Sequence, residues 1–422
     1  MLVSGATGFI GAHLVGALRA RGHTVVAAAR RPQALLERFP DLQVVAVDYR
    51  RDQSPRDWLP LLADVEAVVN AVGIFREGAA RFEDLHVSGP RALFDACVEA
   101  GVRRVIQISA LGADEGAQTD YHRSKHTADR HLRRLPLEWT IVQPSLVYGP
   151  GGASARLFTG LASLPVIPLP GRGTQVVQPI FIDDLVAALL ALLEHGRLIH
   201  HTLPAVGPQP LTLREMLARL RGALGLPPGR FLAMPMPLVR LSTSLAERLP
   251  GALLTRDSLR MLERGNQADA TNVTDVLGRP PRAPQAFVDP EHRPAVRRNA
   301  QLTWLLPLLR LSIALVWLGS GLVSLGLYPV ERSYALLAGV GITGPLAPGV
   351  LYGAALLDIG LGVATLVLRR RRALWLFQIA LILGYSVIIA VYLPQFWLHP
   401  FAPLLKNLPM LAALTVLLVL ER

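Results

Sequence analysis

The sequence predicts an α/β fold with a doubly wound parallel sheet and a small substrate lobe, followed by an all-α bundle of four transmembrane helices. Three observations predict it. Leu2-Val3-Ser4 is a short apolar strand that runs straight into glycines spaced three apart and then into a helical pattern. Five further strand-like segments follow, with a helix carrying Tyr121 and Lys125 among them, up to Pro150. No charged residue occurs from Leu311 to Val330 or from Ala373 to Leu405, and Asp358 is the only one from Ser333 to Leu368. Such runs match or exceed the roughly 20 apolar residues that cross a bilayer as a helix.

The first element is a strand, tight turn and helix N-terminus in Gly5-Ala6-Thr7-Gly8-Phe9-Ile10-Gly11, with the helix running on from Ala12 to Arg21. Glycines there let backbone N–H groups approach a pyrophosphate, whose negative charge the helix dipole favours. The second strand, Thr24 to Ala29, ends in Arg30 and Arg31. An acidic residue at that point would accept from the adenosine ribose, whereas an arginine fork suits a 2′-phosphate, so NADP(H) is favoured over NAD(H). Val47-Asp48 ends a third strand and Asn70-Ala71-Val72-Gly73 a fourth. Val105 to Ser109 is a fifth, and Pro144-Ser145-Leu146-Val147-Tyr148-Gly149-Pro150 ends a sixth.

Of 43 basic residues only two are lysines, and one of these, Lys125, stands four after Tyr121. Positions i and i+4 share a helix face, so the two side chains can meet one ligand. An ammonium beside a phenol favours the phenolate and lowers its pKa towards the range useful for proton transfer. A planar guanidinium would not replace that compact charge.

Taken in order, these pieces resemble the extended or atypical branch of the short-chain dehydrogenase/reductase superfamily, with a Rossmann-type sheet over about residues 1 to 290. Ile108-Ser109-Ala110-Leu111-Gly112-Ala113 followed by Tyr121-His122-Arg123-Ser124-Lys125 resembles the atypical group related to an accessory subunit of respiratory complex I. The resemblance implies that Tyr121 exchanges a proton with a carbonyl or alcohol oxygen while hydride moves to or from nicotinamide. It implies that Lys125 binds the nicotinamide ribose and holds the tyrosine pKa down, and that Ser109 orients the substrate oxygen. Asp48 would accept from the adenine amine, Ala71, Val72 and Gly73 would pack near adenine and ribose, and Pro144 with Ser145 would border the nicotinamide. Two positions depart from the family pattern. His86 stands where many members have asparagine, and Gln143 where many have arginine.

Residues 151 to 290 supply the substrate lobe, with a strand-to-helix step at Phe181 to Val186 and a helix from Met216 to Leu224. Leu232 to Leu262, rich in Leu, Met and Pro, reads as an apolar lid, a surface resting on the membrane, or an ordinary core. Residues 291 to 302 read as a linker and 303 to 422 as a domain resembling the DoxX-like family of four-helix membrane proteins. The expected spans are 303 to 326, 346 to 368, 373 to 393 and 404 to 420. Arg297 and Arg298 before the first span, and Arg369 to Arg372 between the second and third, place those ends in the cytoplasm. The expectation is a multi-pass protein of the cell inner membrane, with its nucleotide domain and C-terminus cytoplasmic. Arg310 and Asp358, the charges inside the first two spans, are expected to pair.

Composition agrees with this division. A hydrophobic share of 51% and a mean hydropathy of +0.37 come largely from the last 120 residues. The net charge of +12 would suit nucleic acid. Its arginines, however, are scattered or gathered at membrane ends, with no basic stripe interleaved with aromatics, so anionic lipid is the expected partner. The lone Cys97 excludes an intrachain disulfide and a cysteine-built metal site. It reads as a small core residue, and His200-His201 as a loop, so no metal is expected. The first residues are already strand, which leaves no signal peptide in view and a start upstream of Met1 open. The function expected is an oxidoreductase for a hydrophobic compound. The alternative is a cofactor-binding protein that assembles, stabilises or redox-regulates a membrane complex, with a partner subunit or a second copy.

Overall fold

The computed structural model describes residues 1–37, 39–78, 80–246 and 255–421. It divides into two compact units, Met1–Ala300 and Gln301–Arg422. The first is built on β1 (Leu2–Ser4), β2 (Val26–Ala29), β3 (Gln43–Ala46), β4 (Ala67–Asn70), β5 (Arg104–Ile108) and β6 (Glu138–Pro144). With His201–Ala205 these make one seven-stranded parallel sheet, ordered β3-β2-β1-β4-β5-β6 and then the His201 strand. The chain reverses direction across the sheet between β1 and β4, and that switch point opens a crevice at the carboxyl ends of the strands.

Strands β1, β4 and β5 are buried along their whole length, so their residues show no alternation of buried and exposed faces. Each face carries its own core. On one, Leu14 and Leu18 of α1 (Phe9–Ala20) meet Leu185, Leu189 and Leu192 of the helix Ile182–His195. On the other, Leu93, Phe94 and Cys97 of the helix Gly89–Glu99 pack with Ala128 and Leu132 of the helix Asp120–Leu132. Short strand pairs build the lobe, among them Val166–Pro170 with Arg230–Met234. In the Leu232 to Leu262 segment, Leu232, Leu238 and Leu241 point outward, while residues 247–254 lie outside the described residues.

Two local expectations fail. His201 is not in a loop but opens the seventh strand, because parallel pairing with Thr140 of β6 extends that far. The expected linker is helical from Arg293, since Pro294 in the first turn starts a helix as readily as it ends one. Ala300 of that helix is buried in the first core.

The second unit contains the continuation of this first membrane helix, Arg293–Leu322, with a π-helical turn to Leu327, then the second, Leu346–Val367, and the third, Arg372–Tyr392. These three are long and apolar enough to cross a membrane. The expected fourth span is shorter than read. It is helical over the 14 residues Asn407–Leu420, and Pro403 and the turn residues to Lys406 precede it. A short helix, Val330–Gly339, fills the connection between the first two.

The expected Arg310–Asp358 pair does not form. Arg310 Nε lies 2.7 Å from Glu421 Oε1, and Arg371 Nη1 lies 3.8 Å from Glu421 Oε2. Asp358 instead accepts from Ser320 Oγ at 2.7 Å. The levels were misjudged because Arg298 belongs to the first unit and does not mark where the bundle begins. A Cβ on Gly362 would come within 3.1 Å of the Ala314 carbonyl. Arg310, one turn before Ala314, therefore sits near the end of the second helix, about 12 to 15 Å along the axis from Asp358.

Candidate active site

The glycine turn occupies the switch-point crevice, and its tightness follows from contacts no side chain could share. Gly5 has φ +73°, and a Cβ there would lie 2.7 Å from the Ala71 carbonyl oxygen. A Cβ on Gly11 would lie 2.2 Å from the Gly5 oxygen. Gly8 caps α1 with no side-chain acceptor, so the first N–H groups of the helix, around Phe9 and Ile10, keep their capacity for an anion. Thr7 is exposed at the tip. This cradle fits a dinucleotide pyrophosphate.

Beneath the turn lies a buried polar network. Ser4 Oγ and Tyr49 Oη each come 2.9 Å from Asn70 Oδ1, and Asn70 Nδ2 donates to Gln107 Oε1 at 2.8 Å. The Val72 N–H donates to the same Asn70 oxygen at 3.2 Å, which sets the path of Ala71-Val72-Gly73.

At the ends of β2 and β3, Arg30 is exposed. Asp48 is held by Arg50, whose Nε lies 3.0 Å from both carboxylate oxygens. That hydrogen bond, with lesser help from the Arg50 and Arg30 charges, keeps Asp48 below the usual carboxylate range. Arg50 was not foreseen. Its guanidinium already engages the carboxylate that the resemblance assigns to adenine.

Tyr121 and Lys125 share one face of the helix Asp120–Leu132, and Asp129 continues that face one turn further. Lys125 is buried and donates from Nζ to the carbonyls of Val72 and Ile108, each at 3.0 Å. A Cβ on Gly73 would approach this ammonium to 3.2 Å. Burial lowers the Lys125 pKa to about 8, partly offset by Asp129. Tyr121 is enclosed by Phe75, Phe82, His86 and His122, with ring centroids 5.3 to 6.1 Å away. Burial, reinforced by the Asp129 charge, pushes the phenol up to about 12. The expected depression by Lys125 is therefore absent, because the ammonium is committed to two carbonyls and faces Asp129.

Ser109, at the end of β5, donates its hydroxyl to Asp129 Oδ2 at 2.5 Å. It does not point a spare proton into the crevice, as the family role would need. Asp129 is fully buried, and its Oδ1 has no partner among the described residues. Burial raises its pKa to about 6 against the Ser109 hydrogen bond and the Lys125 charge.

His86 lies in a π-helical turn, Glu83–Ser88, ahead of the helix Gly89–Glu99. The Ile74 N–H donates to His86 Nε2 at 3.0 Å, which puts the ring proton on Nδ1, 2.9 Å from Ser124 Oγ. Burial and the nearby Lys125 hold the His86 pKa down at about 2. A neutral imidazole thus takes the place of the family asparagine and ties the loop after β4 to the Tyr121 helix. On the far wall, Ser145 donates to the Gln178 carbonyl at 2.6 Å, and the Pro144 carbonyl accepts from the Leu111 N–H at 3.0 Å. Gln143 Nε2 donates to the Ala113 carbonyl at 3.1 Å, where the family arginine is absent. Pro144 and Ser145 thus border the crevice with their own polar groups already used.

A glycine turn at the switch point, next to a tyrosine and a buried lysine on one helix face, is an arrangement that suits a dinucleotide-dependent oxidoreductase. Comparisons agree. Residues 5–159 match the family model described as NAD(P)H-binding, and residues 314–415 match the DoxX-like family. The chain is 30% identical to sterol demethylase protein B of Methylococcus capsulatus, over 68% of this chain and 96% of that one. It is 28% identical to a ceramide reductase of Caulobacter vibrioides, over 58% of this chain and 76% of the relative. It is 27% identical to the mouse mitochondrial NADH dehydrogenase [ubiquinone] 1 alpha subcomplex subunit 9, over 56% of this chain and 63% of that subunit, so it spans less than two thirds of the subunit's length. A nucleoside-diphosphate-sugar epimerase from Staphylococcus aureus shares the fold at TM-score 0.57 and 16% identity, covering 68% of this chain and 98% of its own. The chain belongs to the NAD(P)-dependent short-chain dehydrogenase/reductase family and carries a DoxX-like membrane domain at its C-terminal end.

Proposed function

We propose that this membrane oxidoreductase prefers NADP(H) and exchanges hydride with a carbonyl or alcohol of a hydrophobic substrate. The observation that carries the reading is the placement of Lys125. Its ammonium is pinned between the Val72 and Ile108 carbonyls, against Gly73 and one turn from Tyr121. When bound, the dinucleotide supplies the hydride chemistry. Lys125 has one N–H left for a ribose hydroxyl, and Tyr121 gives its proton to the substrate oxygen during reduction. Ser109 donates to that oxygen only while Asp129 carries a proton, because ionised Asp129 takes the serine hydroxyl for itself.

Arg30, exposed beside Asp48 and Arg50, supports the 2′-phosphate. The outward Leu232, Leu238 and Leu241 of the lobe support an apolar substrate or a lipid surface, as do relatives named for ceramide and sterol. The nucleotide domain and C-terminus face the cytoplasm at the inner membrane, from the placement of Arg297, Arg298 and Arg369 to Arg372.

A second reading is a cofactor-binding protein that does not turn over and assembles or regulates a membrane complex. It is favoured by the phenol pushed up to about 12 and by the resemblance to the complex I subunit. Purified full-length protein separates the two. NADPH should bind tighter than NADH, with Arg30→Glu narrowing the gap about tenfold, and equal affinities in both proteins would remove the NADP assignment. Tyr121→Phe should lose most NADPH oxidation by membrane extracts while keeping its affinity for NADPH. A Tyr121→Phe chain that restores a deletion strain in full would support the second reading.

A further inference from the structure

The membrane unit encloses a carboxyl group that no cation among the described residues neutralises. Asp358 lies near the middle of the second membrane helix and is only 7% exposed. Its Oδ2 is 2.7 Å from Ser320 Oγ on the first helix, while Oδ1 has no hydrogen-bond partner. Among the described residues no Lys, Arg or His pairs with it, since Arg310 and Arg371 go to Glu421.

The carboxyl cannot reach the headgroups to escape this setting. A Cβ on Gly321 would meet the Ala355 carbonyl at 2.7 Å, and one on Gly362 would meet the Ala314 carbonyl at 3.1 Å. Ala355 and Gly362 lie about one turn to either side of Asp358, so the two helices are pressed together above and below it.

Polar side chains continue along the same seam. Gln378 Nε2 of the third helix donates to Thr365 Oγ1 at 2.9 Å, and Gln378 Oε1 is buried without a partner. Arg371 Nε donates to the Thr365 carbonyl at 3.2 Å, joining this step to the Arg310–Arg371–Glu421 cluster. Two turns further, the same register places Tyr385 level with Asp358. Ser386 beside it accepts from Asn407 Nδ2 of the fourth helix at 2.8 Å.

We infer that Asp358 is an exchangeable proton site inside the membrane, reached along this seam from the Arg310–Arg371–Glu421 end. An isolated carboxylate in hydrocarbon is unfavourable, and intramembrane acids without a counter-ion mark proton relays or ligand paths. Ser320 is suited to both charge states, since a hydroxyl donates to a carboxylate and accepts from a carboxylic acid. A fixed arginine would lock the ionised form. A metal ion would need about six oxygens, and no group of His, Cys, Asp or Glu able to hold a metal occurs among the described residues. Ser320 from the first helix bonds Asp358, and Tyr385 from the third lies at its level. The fourth helix has no charged side chain between Asn407 and Leu420, and Glu331 and Arg332 of the short helix Val330–Gly339 are exposed. The step is uptake of one proton by the carboxylate and its release to the same seam. It requires no turnover by the nucleotide domain.

The full chain in lipid vesicles tests this by infrared difference spectroscopy between about pH 5 and pH 10. The expected result is a carboxylic acid carbonyl band that is lost as pH rises and is absent from Asp358→Asn. Ser320→Ala should shift the band, as the acid O–H loses the hydroxyl that accepts from it. A second measurement needs only the unaltered chain. Dicyclohexylcarbodiimide, which attacks protonated carboxyls in apolar surroundings, should leave an adduct on Asp358 whose yield falls several-fold with rising pH. Difference spectra that superimpose for the parent and Asp358→Asn would overturn the inference. So would a parent chain with neither a titrating band nor a pH-dependent adduct.

Discussion

At the scale of single residues, the proposed chemistry concentrates on one helix face, where Tyr121, Lys125 and Asp129 follow one another at four-residue steps. Tyr121 and Lys125 stood out because lysine is nearly absent from the chain and because the pair follows the glycine turn and strands in order, the spacing alone being common on helices. Asp129 has the same spacing, but an acid on an amphipathic helix ordinarily faces water. Only its burial beneath Ser109 reveals it. Burial raises the Asp129 carboxyl to about 6 in the folded chain, above the ordinary aspartate value of 3.8. The folded state thus holds the extra proton between those values. The stabilisation from this group is complete below 3.8 and is lost as pH rises through 6. Asp129→Asn has no such loss. Its melting temperature in detergent should therefore gain a few degrees on the parent from pH 4 to pH 6 and hold a constant offset above about pH 7. An offset that does not change between pH 4 and pH 6 would mean that Asp129 is already ionised when folded.

At the scale of elements, the glycine turn was legible from position alone, since a strand opening into glycines three apart has few other uses. The π-helical turn at His86 was not, because its sequence is compatible with an ordinary helix start. The first membrane helix was misread for a related reason. Polar residues and prolines from Asp289 to Asn299 look like a connection, although Pro294 sits where a helix tolerates it best. Glycines in α1 allow a paired test. Gly11→Ala would force Cβ against the Gly5 oxygen and should cost at least tenfold in NADPH affinity, measured by fluorescence titration. Gly16 is a useful contrast, since its Cβ would meet only the Phe39 ring edge at 3.6 Å. Gly16→Ala should leave affinity unchanged and stabilise the chain by about 0.5 to 1 kcal/mol through reduced freedom of the unfolded backbone.

At the scale of the whole molecule, the division into a nucleotide unit and an apolar helical unit was visible in the change of composition near residue 300. Which charges meet inside the bundle was not, because that depends on where each helix enters, and helix ends are poorly marked in apolar sequence. Glu421 provides the clearest sign of path. Its ion pairs with Arg310 and Arg371 return the fourth helix to the end of the bundle that holds Arg369 to Arg372. A reporter fused after Arg422 and one inserted near Glu331 should accordingly fall on opposite sides of the membrane, the first in the cytoplasm. Both on one side would rule out the fourth crossing. Glu421→Gln leaves two arginines facing each other at a partly buried site. It should lower the melting temperature of the membrane unit by several degrees, and Arg310→Gln in the same chain should recover part of that.

The scarcity of lysine gives the buried ammonium another use. Lys406 is exposed, whereas Lys125 is 3% exposed and covered by the crevice. An amine-acylating reagent at mild alkaline pH should tag Lys406 and the amino terminus at once, and reach Lys125 only when the Tyr121 helix parts from the sheet. Once opened, the Lys125 amine is solvated and reacts as an ordinary lysine, so with reagent in excess its acylation would be limited by opening rather than by chemistry. One peptide in a mass spectrum would thus time the breathing of the nucleotide domain, and a saturating dinucleotide should slow that clock.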